Sequence, residues 1–92
     1  MDYEFAVPVR LFAARGLGSR ELLLYVALCY FKAKYGDFAN SGWIYASNAR
    51  LTKMTTMAKE TIIRARRRLE SLGALKFKQG YSGRANEYFL KW

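Results

Sequence analysis

A mainly α-helical fold with a small β-hairpin is predicted by three features of this 92-residue sequence. Apolar residues recur at steps of three and four through 20–35 and again through 57–72, the period of a helix with a buried face. After Gly73 the period changes to two. Leu75 and Phe77 alternate with Lys76 and Lys78, and Tyr88, Leu90 and Trp92 alternate with Glu87, Phe89 and Lys91, as in paired strands. Hydrophobic residues make up 52% of the chain, which supplies one compact core at single-domain length.

The elements follow in order within one domain, 1–92. Residues 1–16 form an N-terminal arm. In it Tyr3, Phe5, Val7 and Val9 alternate with other residues, and Pro8 favours an edge position. Gly16 and Gly18 mark a loop. Ser19 is suited to cap a first helix, 19–36, with Glu21 placing negative charge in its first turn and Gly36 stopping it. This helix has two apolar stripes. One is Leu22, Val26, Cys29 and Ala33. The other is Leu24, Leu28, Phe31 and Tyr35, and two coverings of it stay open: the rest of the chain, or a second copy in a homodimer. Trp43 to Tyr45 read as a short extended piece. Ser47 is suited to cap a second helix from Asn48 to Met54, with Leu51 and Met54 facing the core. Thr55 and Thr56 make a turn. A third helix runs from Met57 to Leu72 with Ile62, Ala65, Leu69 and Leu72 on its core side, so the helix-turn-helix unit spans 47–72. A hairpin, 73–92, closes the chain around a loop at Gly80 to Arg84.

Composition narrows function. The chain has no histidine and one cysteine, Cys29. An intrachain disulfide, a cysteine-built zinc site and histidine-based catalysis are therefore excluded. No glycine-rich phosphate loop with lysine and no matched pair of carboxylates is present, so no enzymatic activity and no cofactor are expected. Cys29 reads as a small core residue. The longest apolar run, Leu22 to Phe31, is too short to span a bilayer. No signal-peptide pattern opens the chain, and a cytoplasmic protein is expected, nucleoid-associated if bacterial.

Charge is concentrated in one half. Residues 1–45 hold five Lys/Arg against four acids, net +1, while residues 46–92 hold eleven against three, net +8. A clustered positive surface is the footprint of a polyanion binder whose affinity falls with salt through counterion release.

The order of arm, helix, short strand, helix, turn, helix and hairpin resembles the winged helix-turn-helix family. The residues that carry the resemblance are Trp43, Leu51, the turn Met54 to Met57, Thr61-Ile62, Leu69-Glu70, Gly73-Ala74-Leu75 and Asn86-Glu87-Tyr88, within about 17–92. The nearest flavour is the DNA-binding modules of bacterial, phage and plasmid replication or regulatory proteins. The sequence departs from the pattern in two places. Ala58 stands where the family usually has a capping serine, with Thr56 the substitute cap, and the turn lacks the common glycine.

The resemblance implies double-stranded DNA as partner, with the third helix as recognition helix and the hairpin as wing. Opposite the core side of that helix lie Glu60, Ile63, Arg64, Arg67 and Ser71. Lys59, Glu60, Ile63 and Arg64, near its N-terminus, are the candidate base readers. Arg64 suits guanine, Glu60 cytosine and Ile63 a thymine methyl. Arg67 and Arg68 suit phosphates, with Lys53 and Arg50 on the second helix and Thr56 in the turn beside them. Tyr81, Ser82 and Arg84 are the candidate wing contacts. Glu60–Arg64 and Arg66–Glu70 also have the spacing of ordinary helical ion pairs, and Lys76 and Lys78 that of edge-strand protection.

A transcription regulator and a replication-initiation module fit equally well. A protein-interaction module without DNA readout is the alternative from another class. Single-stranded nucleic acid is a further one, although the aromatic spacing in the sequence does not resemble a stacking platform.

Overall fold

The computed structural model describes residues 16–35, 42–80 and 85–91. Three helices, α1 (Ser19–Tyr35), α2 (Asn48–Thr55) and α3 (Lys59–Ser71), pack on one side of a sheet made of β1 (Trp43–Ala46), β2 (Leu75–Lys78) and β3 (Asn86–Leu90). The architecture is a mainly helical, winged-helix-like fold. Residues 1–15 of the N-terminal arm, Gly36 and the 81–84 loop lie outside the described residues.

The sheet is larger than a hairpin. Its order is β1-β3-β2, both pairings antiparallel, with Trp43 opposite Phe89 and Leu75 opposite Leu90. The extended piece at Trp43 is thus a full strand, and β3 is the central one. Strand alternation sends Ile44, Ala46, Leu75 and Tyr88 inward, where all four are buried.

The core forms where the helical stripes meet that face. Leu24, Leu28, Leu51, Ile62 and Leu69 are each fully buried. This corrects the dimer reading of α1. Leu24, Leu28 and Phe31 are covered by their own chain, and of that stripe only Tyr35, 56% exposed, meets solvent. The other stripe is looser: Cys29 is buried, Leu22 and Val26 are half-buried, and Ala33 is exposed. Burial pushes the Cys29 thiol above its ordinary value, with nearby Lys32 pulling the other way, which keeps it protonated.

Helix ends follow local chemistry. At α1 the cap sits one residue earlier than Ser19. Leu22 N–H donates to the Gly18 carbonyl at 3.1 Å, and Glu21 reaches back to accept from Gly18 N–H at 3.4 Å. Ser47 caps α2 as expected, accepting from Arg50 N–H at 3.2 Å. At the end of α3, Gly73 (φ +77) donates to the Glu70 carbonyl and Ala74 to the Leu69 carbonyl, at 3.1 and 2.9 Å. That paired closure needs a left-handed residue, which glycine supplies without strain.

The turn between α2 and α3 is built by two threonines. Thr55, buried, donates its hydroxyl to the Leu51 carbonyl at 2.6 Å and accepts from Met57 N–H at 3.2 Å. It takes the inward position expected of Met54, which is rotated to the flank and is 40% exposed. Thr56 has φ +60, a left-handed conformation more usual for glycine, in a turn that has no glycine. It terminates α2, its N–H donating to the Thr52 carbonyl at 2.8 Å, and does not cap α3. Ala58 holds that N-cap position, with no side-chain hydrogen bond, and α3 accordingly starts at Lys59.

Candidate nucleic-acid interface

On α3 the sequence places five cations within ten residues, and packing sorts them. Ile62, Ala65 and Leu69 face the core. Lys59, Glu60, Arg64 and Arg67 are exposed on the opposite side and Ile63 is half-buried beside them. Glu60 and Arg64 have the spacing of an ion pair but do not form one; among the described residues the ion pair present is Arg68–Glu21, at 3.3 Å. Both side chains therefore keep their charged groups in solvent.

Arg68, expected as a phosphate contact, already has partners within the chain. Its guanidinium is divided between Glu21 and the Gly16 carbonyl, the latter at 3.3 Å, and it ties α3 to the start of α1. Arg66 also departs from the expected pairing with Glu70. Its guanidinium lies 3.8 Å from the centroid of the Phe77 ring, which in turn packs against Tyr88 at 5.2 Å. The reason is reach: Arg66 points along the flank of α3 toward β2, where an aromatic face offers it a desolvated seat. Burial raises the Tyr88 hydroxyl above its ordinary value of 10.0, and the neighbouring Arg66 cation works against that rise. Arg66 Nε and Tyr88 Oη are both buried without a well-formed hydrogen bond, and polar contact with the Arg66 and Asn86 side chains adds to the opposition to that rise.

A crevice of about 180 Å³ separates the start of α1 from α3, lined by Arg20, Glu21, Thr61, Arg64, Ala65 and Arg68. It brings Arg20, which the sequence did not single out, beside Arg64. On α2, Lys53 is exposed, while Arg50 stacks on the rings of Tyr35 and Phe31 at 5.4 and 5.8 Å. Thr56 is exposed in the turn. Tyr81, Ser82 and Arg84 lie outside the described residues.

The root of the wing is anchored by a side chain that sequence reasoning passed over for this role. Asn86 Oδ1 accepts from Gly80 N–H at 2.9 Å, across the base of the loop, and Asn86 Nδ2 donates to Asn48 Oδ1 at 3.2 Å. One amide at the start of β3 thus joins the segment that follows β2 to the first residue of α2. The partners are 38 residues apart, and nothing local in the sequence signals the pairing.

Among the described residues no helix is long and apolar enough to cross a membrane. No protein-family model and no curated protein sequence matches the chain. Two solved structures share its fold. One, "Structure of Rep-DNA complex", aligns with TM-score 0.70 at 17% identity over 99% of this chain and 76% of that one. The other, "N-Terminal domain of DNA binding protein", aligns with TM-score 0.68 at the same identity and coverage.

Proposed function

We propose that this chain binds double-stranded DNA in a sequence-specific way, with α3 in the major groove and the wing on the flanking backbone. The observation that carries the reading is the solvent side of α3. It presents Lys59, Glu60, Arg64 and Arg67 without ion pairs among the described residues, on a rigid 13-residue helix anchored by Ile62 and Leu69. A side chain that must bond a base edge has to be free of competing partners and fixed at its root. Lys59, Glu60, Ile63 and Arg64 are the base readers, and Arg67 and Lys53 hold phosphates. Thr56 and the uncapped first turn of α3 lie where backbone N–H groups suit a phosphate. Arg68 contributes mainly by fixing α1 against α3. Tyr81, Ser82 and Arg84 are the wing contacts. The fold shared with a protein solved in a complex with DNA supports the reading.

The role is transcription regulation or replication initiation. Selecting random duplexes with the purified chain at about physiological salt, then sequencing those retained, tests the proposal. An enriched motif is the expected result. An inverted repeat favours a dimeric regulator, and direct repeats favour an origin-binding module. The absence of enrichment would overturn specific readout in favour of a protein-interaction module.

A further inference from the structure

The face of the sheet turned away from the helices has an unusual composition. Strand alternation puts Trp43 and Tyr45 of β1, Glu87 and Phe89 of β3, and Lys76 and Lys78 of β2 on it, in two rows across the sheet. One row is Trp43, Phe89, Lys76; the other is Tyr45, Glu87, Lys78. The Trp43 and Phe89 rings meet at 5.6 Å, tilted by 57°. Lys78 Nζ lies 4.5 Å from the centre of the Trp43 ring and Lys76 Nζ 5.8 Å from that of Phe89. Tyr45 is 43% exposed, and Lys76 and Lys78 are exposed. A groove of about 480 Å³ runs along β2 past Trp43, Lys76, Lys78 and Lys91, with Glu70 also in its lining.

The rings are held there by backbone design. Gly42, at φ +84, precedes β1, and a Cβ on it would come within 2.6 Å of the Phe89 ring. Glycine at this position is what leaves room for the Phe89 ring beside Trp43.

We propose that this outer sheet face is a binding site for single-stranded nucleic acid. Aromatic rings alone suit any apolar partner, and lysines alone suit any polyanion. Rings interleaved with lysines on one sheet face, with Trp43 and Phe89 half-buried there, suit a ligand that offers planar bases and phosphates side by side. A single strand does so, because its bases are unstacked and accessible, whereas a duplex hides its base faces. Each ammonium now against a ring is placed to move onto a phosphate when a base takes its seat. Glu87, in the middle of the second row, opposes the strand's charge, so affinity comes from the rings as well as from the lysines. The site lies on the opposite side of the sheet from α3 and does not depend on duplex recognition there.

Fluorescence anisotropy of a labelled oligo(dT) of about twenty nucleotides tests this with the full chain, beside an abasic strand of equal charge and a duplex. Oligo(dT) is expected to bind at least about five-fold tighter than the abasic strand. The Lys76→Ala/Lys78→Ala double variant is expected to weaken oligo(dT) binding about ten-fold and duplex binding less than about two-fold. Phe89→Leu, which keeps apolar bulk, is expected to remove most of the preference for bases. Arg67→Ala is expected to do the reverse of the lysine variant, weakening the duplex and sparing oligo(dT). Both lysines are exposed, so that variant retains the fold, checked by its unchanged thermal melt. Equal affinity for oligo(dT) and the abasic strand would overturn the proposal, as would lysine variants that leave oligo(dT) unaffected. Equal losses for oligo(dT) and duplex would overturn it too, by making the face part of the duplex interface. Failure of the unsubstituted chain to bind duplex, with oligo(dT) binding intact, would overturn only the role given to α3.

Discussion

The two sides of α3 carry the same residue type to different ends. Arg64 and Arg67 stand on the solvent side with no ion-pair partner among the described residues, while Arg66 is seated on Phe77 and Arg68 is shared between Glu21 and Gly16. A guanidinium is a strong donor wherever it lies, so what it can do for a ligand depends on what already occupies it. The outward pair is available for recognition. The flanking pair fixes the helix that presents it, one holding α3 to the sheet and the other holding it to α1.

Substitutions along the helix can break this comparison. Arg64→Ala is expected to cost about 1–3 kcal/mol in discrimination between the selected duplex and its variants, with the thermal melt unchanged. A uniform loss across sequences would make Arg64 a phosphate contact instead, consistent with its place beside Arg20 in the crevice. Arg66→Ala is expected to lower folding stability by about 1–2 kcal/mol, read by chemical denaturation, because it strips a stacked cation and its stem from Phe77. Its sequence preference for DNA is expected to stay the same. Arg68→Ala should cost less than about 1 kcal/mol, since its side chain is 53% exposed and the pair with Glu21 is solvent-screened, and salt should erase the difference.

The smallest effect at neutral pH belongs to Tyr88→Phe, which removes a buried hydroxyl that has no good hydrogen bond. Its signature is alkaline. The folded chain holds the Tyr88 proton more tightly than the unfolded chain does. The stabilisation is therefore whole below the ordinary value of 10.0 and declines as pH rises past it toward the folded-state value. Denaturation midpoints of wild type should fall with pH in that window more steeply than those of Tyr88→Phe. Parallel curves would show that Tyr88 does not titrate with folding.

Much of the fold is written in local pattern. The steps of three and four that bury Leu24, Leu28, Ile62 and Leu69 are a property of each helix by itself, and so is the stop at Gly73. Thr56 was harder. The missing glycine marked the turn as odd, but a β-branched residue at φ +60 is adopted only because Thr55 and the packing of α2 on α3 impose it. Replacing Thr56 with glycine is the natural check on that strain. The fates of Arg66 and Arg68 were not legible, since each is decided by a partner brought from another element. The same holds for Asn86 with Asn48 and for Trp43 with Phe89. Spacing in the chain says which side of a helix or strand a residue occupies; it is silent on which distant segment arrives to meet it.

The sheet order β1-β3-β2 has a consequence for how the chain is made. The strand in the middle is the last of the three to leave a ribosome. Until it does, β1 and β2 have no neighbour to bond among the described strands, because neither borders the other. The helical segments, whose contacts include the adjacent α2 and α3, can begin to assemble while Ile44 and Leu75 still lack the strand that joins them. Arrival of Tyr88 then closes both ladders in a single event, and any delay at that point leaves two unpaired strand edges open to a neighbouring nascent chain.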